Sequence, residues 1–203
     1  MGAQGGGGLP SEYQRCLWVA SDGSQYINAG LAQANKLPGK IEVGFYITAH
    51  ASYSSGICGI GVANGSSWKE GIVGQGNLGI RVSGSNNYSS SGSLINKYCE
   101  ATATFDTNSC EVEGTVSGVT YSKIVSSSPS SWSNKPFVLW QNPSNNTARG
   151  RIYYARLYQQ GNLLYDFVPC YRKVDGVIGM YDLVNKVFKT NAGSGTFTKG
   201  ADV

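Results

Sequence analysis

Charge is scarce in this chain: 14% of its 203 residues are Asp, Glu, Lys or Arg, and His50 is the single histidine. One histidine between Ala49 and Ala51 offers no partner for triad or imidazole-metal chemistry, and it reads as a strand-end residue. No G-x-S-x-G motif occurs, which removes the usual nucleophile elbow. The 16 basic residues against 12 acidic leave a net charge of +4, but no basic run, so a surface that tracks nucleic-acid phosphates is not supported. No apolar run is long enough to cross a membrane, and the N-terminus lacks the basic start and apolar segment of a secretory signal.

The cysteines are few and scattered. Cys16, Cys58, Cys99, Cys110 and Cys170 are odd in number and include no C-x-x-C pair, which argues against a disulfide framework and against zinc. A hairpin turning near Thr107-Asn108 sets Cys110 opposite about Phe105, too far along the strand to meet Cys99. Free, mostly buried thiols are expected, in keeping with folding in a reducing cytoplasm. The chain calls for no cofactor and no metal.

What is abundant is Gly, Ser, Asn, Thr and Tyr, a mixture for short strands joined by turns and a poor one for long helices. Lys40 to Ala49 alternates clearly, with Ile41, Val43, Phe45, Ile47 and Ala49 on one face. Tyr98 to Asp106 alternates too, and Asp106 to Ser109 turns the chain into a strand from Cys110 to Val116. Shorter strands are expected at Tyr13 to Ala20, Gln25 to Ala29, Ile57 to Ala63, Leu78 to Ser83, Gly118 to Val125, Phe137 to Gln141 and Arg151 to Tyr158. Ser83 to Ser93, Ser126 to Ser133 and Asn142 to Thr147 read as loops. Near the end, Tyr165 to Tyr171 and Val177 to Tyr181 flank the turn pair Asp175-Gly176, and a second turn follows at Asn185-Lys186. Pro169 cannot donate to a ladder, which predicts an edge strand or a bulge there. About a dozen short strands at this spacing describe an all-β, two-sheet antiparallel sandwich or jelly roll. One domain over residues 11–203 is expected, preceded by a Gly-rich tail at 1–10.

Two segments resemble a known family. The opening LPSEYQRCLWVASDGSQYINAG and the closing RIYYARLYQQGNLLYDFVPCYRKVDGVIGMYDLVNKVFKTNAGSGTF are similar to the concanavalin A-like, laminin G-like jelly-roll domains of phage virion proteins and related bacterial surface proteins. The matching positions are Gln25, Tyr26, Ile27, Gly30, Asp166, Phe167, Pro169, Gly176, Gly179, Tyr181, Asp182, Asn191, Gly193, Gly195 and Phe197. Departures stand at Ala29, Ala155-Arg156 and Lys189, and the middle of the chain matches in strand rhythm alone. The resemblance implies a jelly-roll scaffold and a non-enzymatic structural or attachment role in a virion assembled in the host cytoplasm. The partners it implies are other virion proteins or a homo-oligomer. A lectin-like bacterial surface adhesin is the alternative, and a glycoside hydrolase a more distant one.

Candidate contacts follow from residue chemistry. Trp68, Tyr88 and Trp132 stand in stretches rich in Ser, Asn and Gly, where exposed rings stack on sugar C–H faces; plugging the sandwich ends or a subunit interface explains them equally. Trp18 and Trp140 fall in strands and read as core or sheet-face residues. Gly5, Gly6, Gly7 and Gly8 precede Leu9-Pro10 and not Gly-Lys-Ser/Thr, so they form a linker or assembly anchor rather than a phosphate loop. Glu111 and Glu113 share a strand face, and with Glu100 they are the carboxylates to weigh for hydrolysis; an exposed polar face explains them more simply. Asp22, Asp106, Asp175 and Asp182 read as turn acids rather than calcium ligands. The sequons at Asn64, Asn87 and Asn145 read as chance matches.

Overall fold

The computed structural model describes residues 8–31, 37–50, 55–61, 68–74, 77–127, 129, 136–140 and 148–203. In chain order its strands are β1 Tyr13–Arg15, β2 Val19–Ser21, β3 Ile27–Leu31, β4 Gly39–His50, β5 Ser55–Gly61, β6 Trp68–Gly74, β7 Leu78–Val82 and β8 Ser85–Tyr88. They continue as β9 Tyr98–Phe105, β10 Cys110–Val116, β11 Val119–Val125, β12 Pro136–Leu139, β13 Ala148–Gln159, β14 Asn162–Arg172, β15 Ile178–Asp182, β16 Val187–Thr190 and β17 Thr198–Lys199. No helix occurs among the described residues.

The strands form two antiparallel sheets. The larger runs β11-β10-β9-β4-β13-β14-β15-β16, with β1 beside β14, β2 beside β13, and β17 beside β2; the smaller runs β3-β12-β5-β6-β7-β8. Their inner faces hold one main core. Ile41, Val43, Phe45 and Ile47 of β4 turn inward and are at most 3% exposed, as the alternation predicts. Phe137 of β12 meets Phe167 of β14 across the sandwich, ring centres 6.4 Å apart. Burial of each such side chain contributes about 1.5–3 kcal/mol.

Among the described residues, three hairpins close on two-residue turns whose residues both have positive φ: Ser83-Gly84, Ser117-Gly118 and Gln160-Gly161. This geometry matches strand twist, and glycine at the second position accepts it without a β-carbon penalty. The Ser83-Gly84 turn folds the polar stretch Ser85–Tyr88 back onto β7, pairing Val82 with Ser85 and Gly79 with Tyr88. The expected loop from Ser83 to Ser93 therefore contains a strand. A further strand, β6, arises between the expected strands at Ile57 to Ala63 and Leu78 to Ser83, held by ladders to β5 and β7 on its two sides.

The register of the β9–β10 hairpin sets Cys110 opposite Phe105, as the turn position predicts. All five cysteines are buried free thiols. Pro169, however, lies in an interior strand. It pairs with Met180 of β15, and its carbonyl accepts the Cys16 N–H at 3.1 Å. It is tolerated because β14 changes neighbour there, from β13, whose ladder with it ends at Phe167, to β1, whose ladder begins at Cys170. The missing N–H falls in the gap between two partner strands.

Candidate functional site

On the outer face of the larger sheet, β13 lies between β2 and β4 in a locally irregular ladder. Arg151 pairs with Ala20 on one side and Tyr46 on the other. Register shifts flank this point, between Arg149 and Gly150 and between Ile152 and Tyr154. Gly150 permits the crossing: a β-carbon there would stand 2.1 Å from the Tyr46 carbonyl oxygen.

Alternation in β2 buries Val19 and Ser21 and turns Ala20 outward, with Trp18 and Asp22 beyond its ends. Ala20 is also opposite Thr198 of β17, so its small side chain forms the floor of a row running Arg151, Ala20, Thr198. The result is a cleft of about 350 Å³ whose lining includes Trp18, Asp22, Thr48, Arg149, Arg151 and Thr198. Its size is at the lower end of the range for ligand pockets, roughly 300–1,000 Å³.

Each wall has a structural cause. The Trp18 indole rests against Gly200, where a β-carbon would be 2.8 Å from Nε1, and the Gly200 N–H donates to the Trp18 carbonyl at 2.9 Å. The Arg151 guanidinium lies over both aromatic rings, 4.5 Å from the Trp18 centre and 5.0 Å from that of Tyr46. Asp22 is placed by buried Gln25, whose Oε1 accepts the Asp22 N–H at 2.8 Å and the Ser21 hydroxyl at 3.0 Å. A hydrogen bond involving the Gln25 side chain, then the Ser24 N–H, hold the Asp22 carboxyl below its ordinary pKa, with the Arg149 charge adding a smaller effect.

The family-like ends of the chain frame this cleft together. Asn191 accepts the Tyr26 N–H at 3.1 Å, and the Ala192 N–H donates to the Tyr26 carbonyl at 2.8 Å. Gly193 packs on the Ser24 carbonyl with no room for a β-carbon. The opening and closing motifs are thus one joint, and Thr196 and Thr198, just beyond it, line the cleft.

Beyond the cleft the same face carries a polar network. Lys40 pairs with Glu42 at 2.7 Å, the Tyr158 hydroxyl donates to Glu42 at 3.1 Å, and Arg156 donates to Asp166 at 2.9 Å. The Tyr98 hydroxyl donates to Glu100 at 2.9 Å, and its ring meets Tyr153 edge-on at 4.9 Å. Glu111 and Glu113 share this outer face as expected, and Glu111 alone of the pair lines a hollow of about 530 Å³ near Lys40 and Tyr158.

Of the anticipated aromatic contacts, Trp68 and Tyr88 are placed by their strands. Trp68 opens β6 and Tyr88 closes β8, so neither stands in a loop. Tyr88 is level with Val73 through Gly79 of β7, five residues along β6 from Trp68, a separation of about 17 Å along the strand. Tyr88 packs on Val73 and Val138 and crosses Gly79, where a β-carbon would be 2.5 Å from its ring. Burial raises its hydroxyl pKa. Trp132, Gly5, Gly6, Gly7 and the side chains of Trp68 and His50 lie outside the described residues; Gly8 is exposed. Trp140 is buried in the core beside Phe197. Among the four aspartates, Asp22, Asp106 and Asp175 bond to nearby turn N–H groups, while Asp182 is buried and accepts from the Asp166 and Val184 N–H groups. No group of three or more His, Cys, Asp or Glu side chains is placed to hold a metal among the described residues.

No family model and no curated protein matches the sequence. Solved structures do match in shape. A Bacteroides ovatus protein assigned provisionally to carbohydrate binding superposes with a TM-score of 0.61 at 12% identity over 96% of this chain, which spans 62% of that protein. A heptameric SAP-like pentraxin from Limulus polyphemus gives 0.60 at 9% identity over 92% of this chain and 96% of its own. Domains LG4-5 of the mouse laminin α1 chain give 0.51 at 15% identity, over 91% of this chain and 46% of that one. The fold is therefore a two-sheet jelly roll of the concanavalin A-like, laminin G-like kind.

Proposed function

We propose that this chain is a non-enzymatic carbohydrate-binding module that serves in attachment or decoration of a phage particle. The observation that carries the binding half is the Trp18 cleft: one indole, several hydroxyls and fixed charges gathered around an alanine floor on an open sheet face. Sugars are recognised by polar and charged groups at their hydroxyls beside some apolar surface, which is what this lining supplies. The likeness to a Bacteroides ovatus protein assigned provisionally to carbohydrate binding supports the same reading. Trp68 and Trp132 remain glycan contacts in this reading, whereas the packing of Tyr88 favours a structural role.

The virion half rests on the resemblance carried by Gln25 to Gly30 and Asp166 to Phe197. In this reading the jelly roll of residues 11–203 is displayed on the particle after assembly in the host cytoplasm, and the tail through Gly8 anchors it to neighbouring virion proteins. Self-association is part of the proposal. Strand β11 ends the larger sheet and exposes Ile124 at 60%, an edge suited to a partner copy.

A glycan array probed with the folded protein and with Trp18→Ala tests binding. A saccharide signal that the variant loses is expected; silence of the folded protein rejects it. Mass spectrometry of purified particles, with cross-linking from the tail, tests the location. Absence from particles would favour the cell-surface adhesin.

A further inference from the structure

We propose that Arg151 forms an oxyanion subsite in the Trp18 cleft, so that the saccharide taken there carries a carboxylate. The inference rests on the reading of this cleft as a glycan site and names the class of sugar.

Arg151 is oriented by its surroundings but not neutralised by them. Stacking on Trp18 and Tyr46 at 4.5 and 5.0 Å satisfies the faces of the guanidinium and leaves its in-plane N–H edges for another group. Other arginines of this sheet have carboxylates: Arg156 has Asp166 at 2.9 Å, and Arg172 has Asp175 at 2.6 Å. Among the described residues none forms an ion pair with Arg151 or with Arg149.

The lining charges also favour an anion. Arg149 and Arg151 face one carboxylate, that of Asp22, leaving one net positive charge. Asp22 is in addition engaged locally, accepting the Ser24 N–H at 2.9 Å. Thr48, Thr196 and Thr198 supply side-chain hydroxyls for a sugar ring. A fixed guanidinium edge matches a planar carboxylate through two parallel hydrogen bonds, which a hydroxyl cannot reproduce.

The test is an array of matched saccharides: uronic- and sialic-acid oligosaccharides, their methyl esters, and sulfated neutral counterparts, followed by titration of the strongest binder. The acid form should bind roughly ten- to hundredfold more tightly than its ester. Arg151→Ala should remove that preference, and Arg151→Lys should not restore it, since an ammonium offers no planar fork. Ala20→Phe should block every ligand by filling the floor. Equal affinity for acid and ester would overturn the subsite while leaving the glycan reading intact. Tighter binding of the sulfated set would overturn the carboxylate assignment. Silence across the array from a protein with an intact thermal transition would overturn both readings.

Discussion

Gly200 lies flat against the Trp18 indole, where a β-carbon would come within 2.8 Å of Nε1 and 2.9 Å of Cε2. Glycine is needed there for space. Gly200→Ala must push the half-buried indole outward, and Arg151, stacked on it, moves with it. Overpacking of this kind costs about 1 kcal/mol or more, so glycan affinity should fall roughly fivefold while folding survives. Tryptophan emission and the same saccharide titration check this. Gly8→Ala, at a position with open space around it, should change neither.

Gly150 carries a heavier constraint. Its missing β-carbon would meet backbone, 2.1 Å from the Tyr46 carbonyl oxygen and 3.0 Å from the Ile47 Cα, so no side-chain rotation can relieve the clash. Gly150→Ala should therefore force β13 away from β4. A loss of about 3 kcal/mol is expected in urea unfolding. An unchanged midpoint would mean that the two strands are not held this close.

Much of this architecture was legible from local chemistry. The alternation of Ile41 to Ile47 marked β4, the Asp175-Gly176 pair marked the turn between β14 and β15, and Thr107-Asn108 predicted the partner of Cys110. β6 and β8 were not legible. Trp68 to Gly74 mixes charges with glycines, and Ser85 to Tyr88 is nearly all polar, so what makes them strands is ladder pairing with β5 and β7. The cleft is not legible in the sequence for a related reason. Trp18, Arg151 and Thr198 are far apart in the chain, and strand order alone brings β2 between β13 and β17. The two ends that carry the family resemblance also build the cleft wall, through Gln25 and Asn191.

Asp182 shows what the Tyr-Asp part of that signature does. Its fully buried carboxylate accepts the Asp166 N–H at 3.1 Å, the Val184 N–H at 3.0 Å and the Asn185 side-chain amide at 2.5 Å. Asp182→Ala strands these donors, and leaving buried groups unsatisfied costs about 1–3 kcal/mol each. Chemical unfolding should show a loss of roughly 2–3 kcal/mol. Asp182→Asn keeps one acceptor oxygen and should lose less; equal losses for the two variants would point to packing instead.

The buried thiols make stability fall on the alkaline side. Burial pushes Cys16 up to about 11 and Cys99 and Cys170 to about 12, from an ordinary 9.0, and raises Cys58 further. Above pH 9 the unfolded chain releases these protons while the folded chain keeps them, so the unfolded state gains as pH rises. The stabilisation is complete below pH 9 and is lost progressively up to about pH 12. For fully buried Cys58 the decline is about 1.4 kcal/mol per pH unit within its window. Urea midpoints at pH 7, 8 and 10.5 should be nearly level over the first interval and drop over the second. Ellman's reagent at pH 8 should label few thiols in the native protein and all five in urea, and rapid native labelling of all five would contradict their burial.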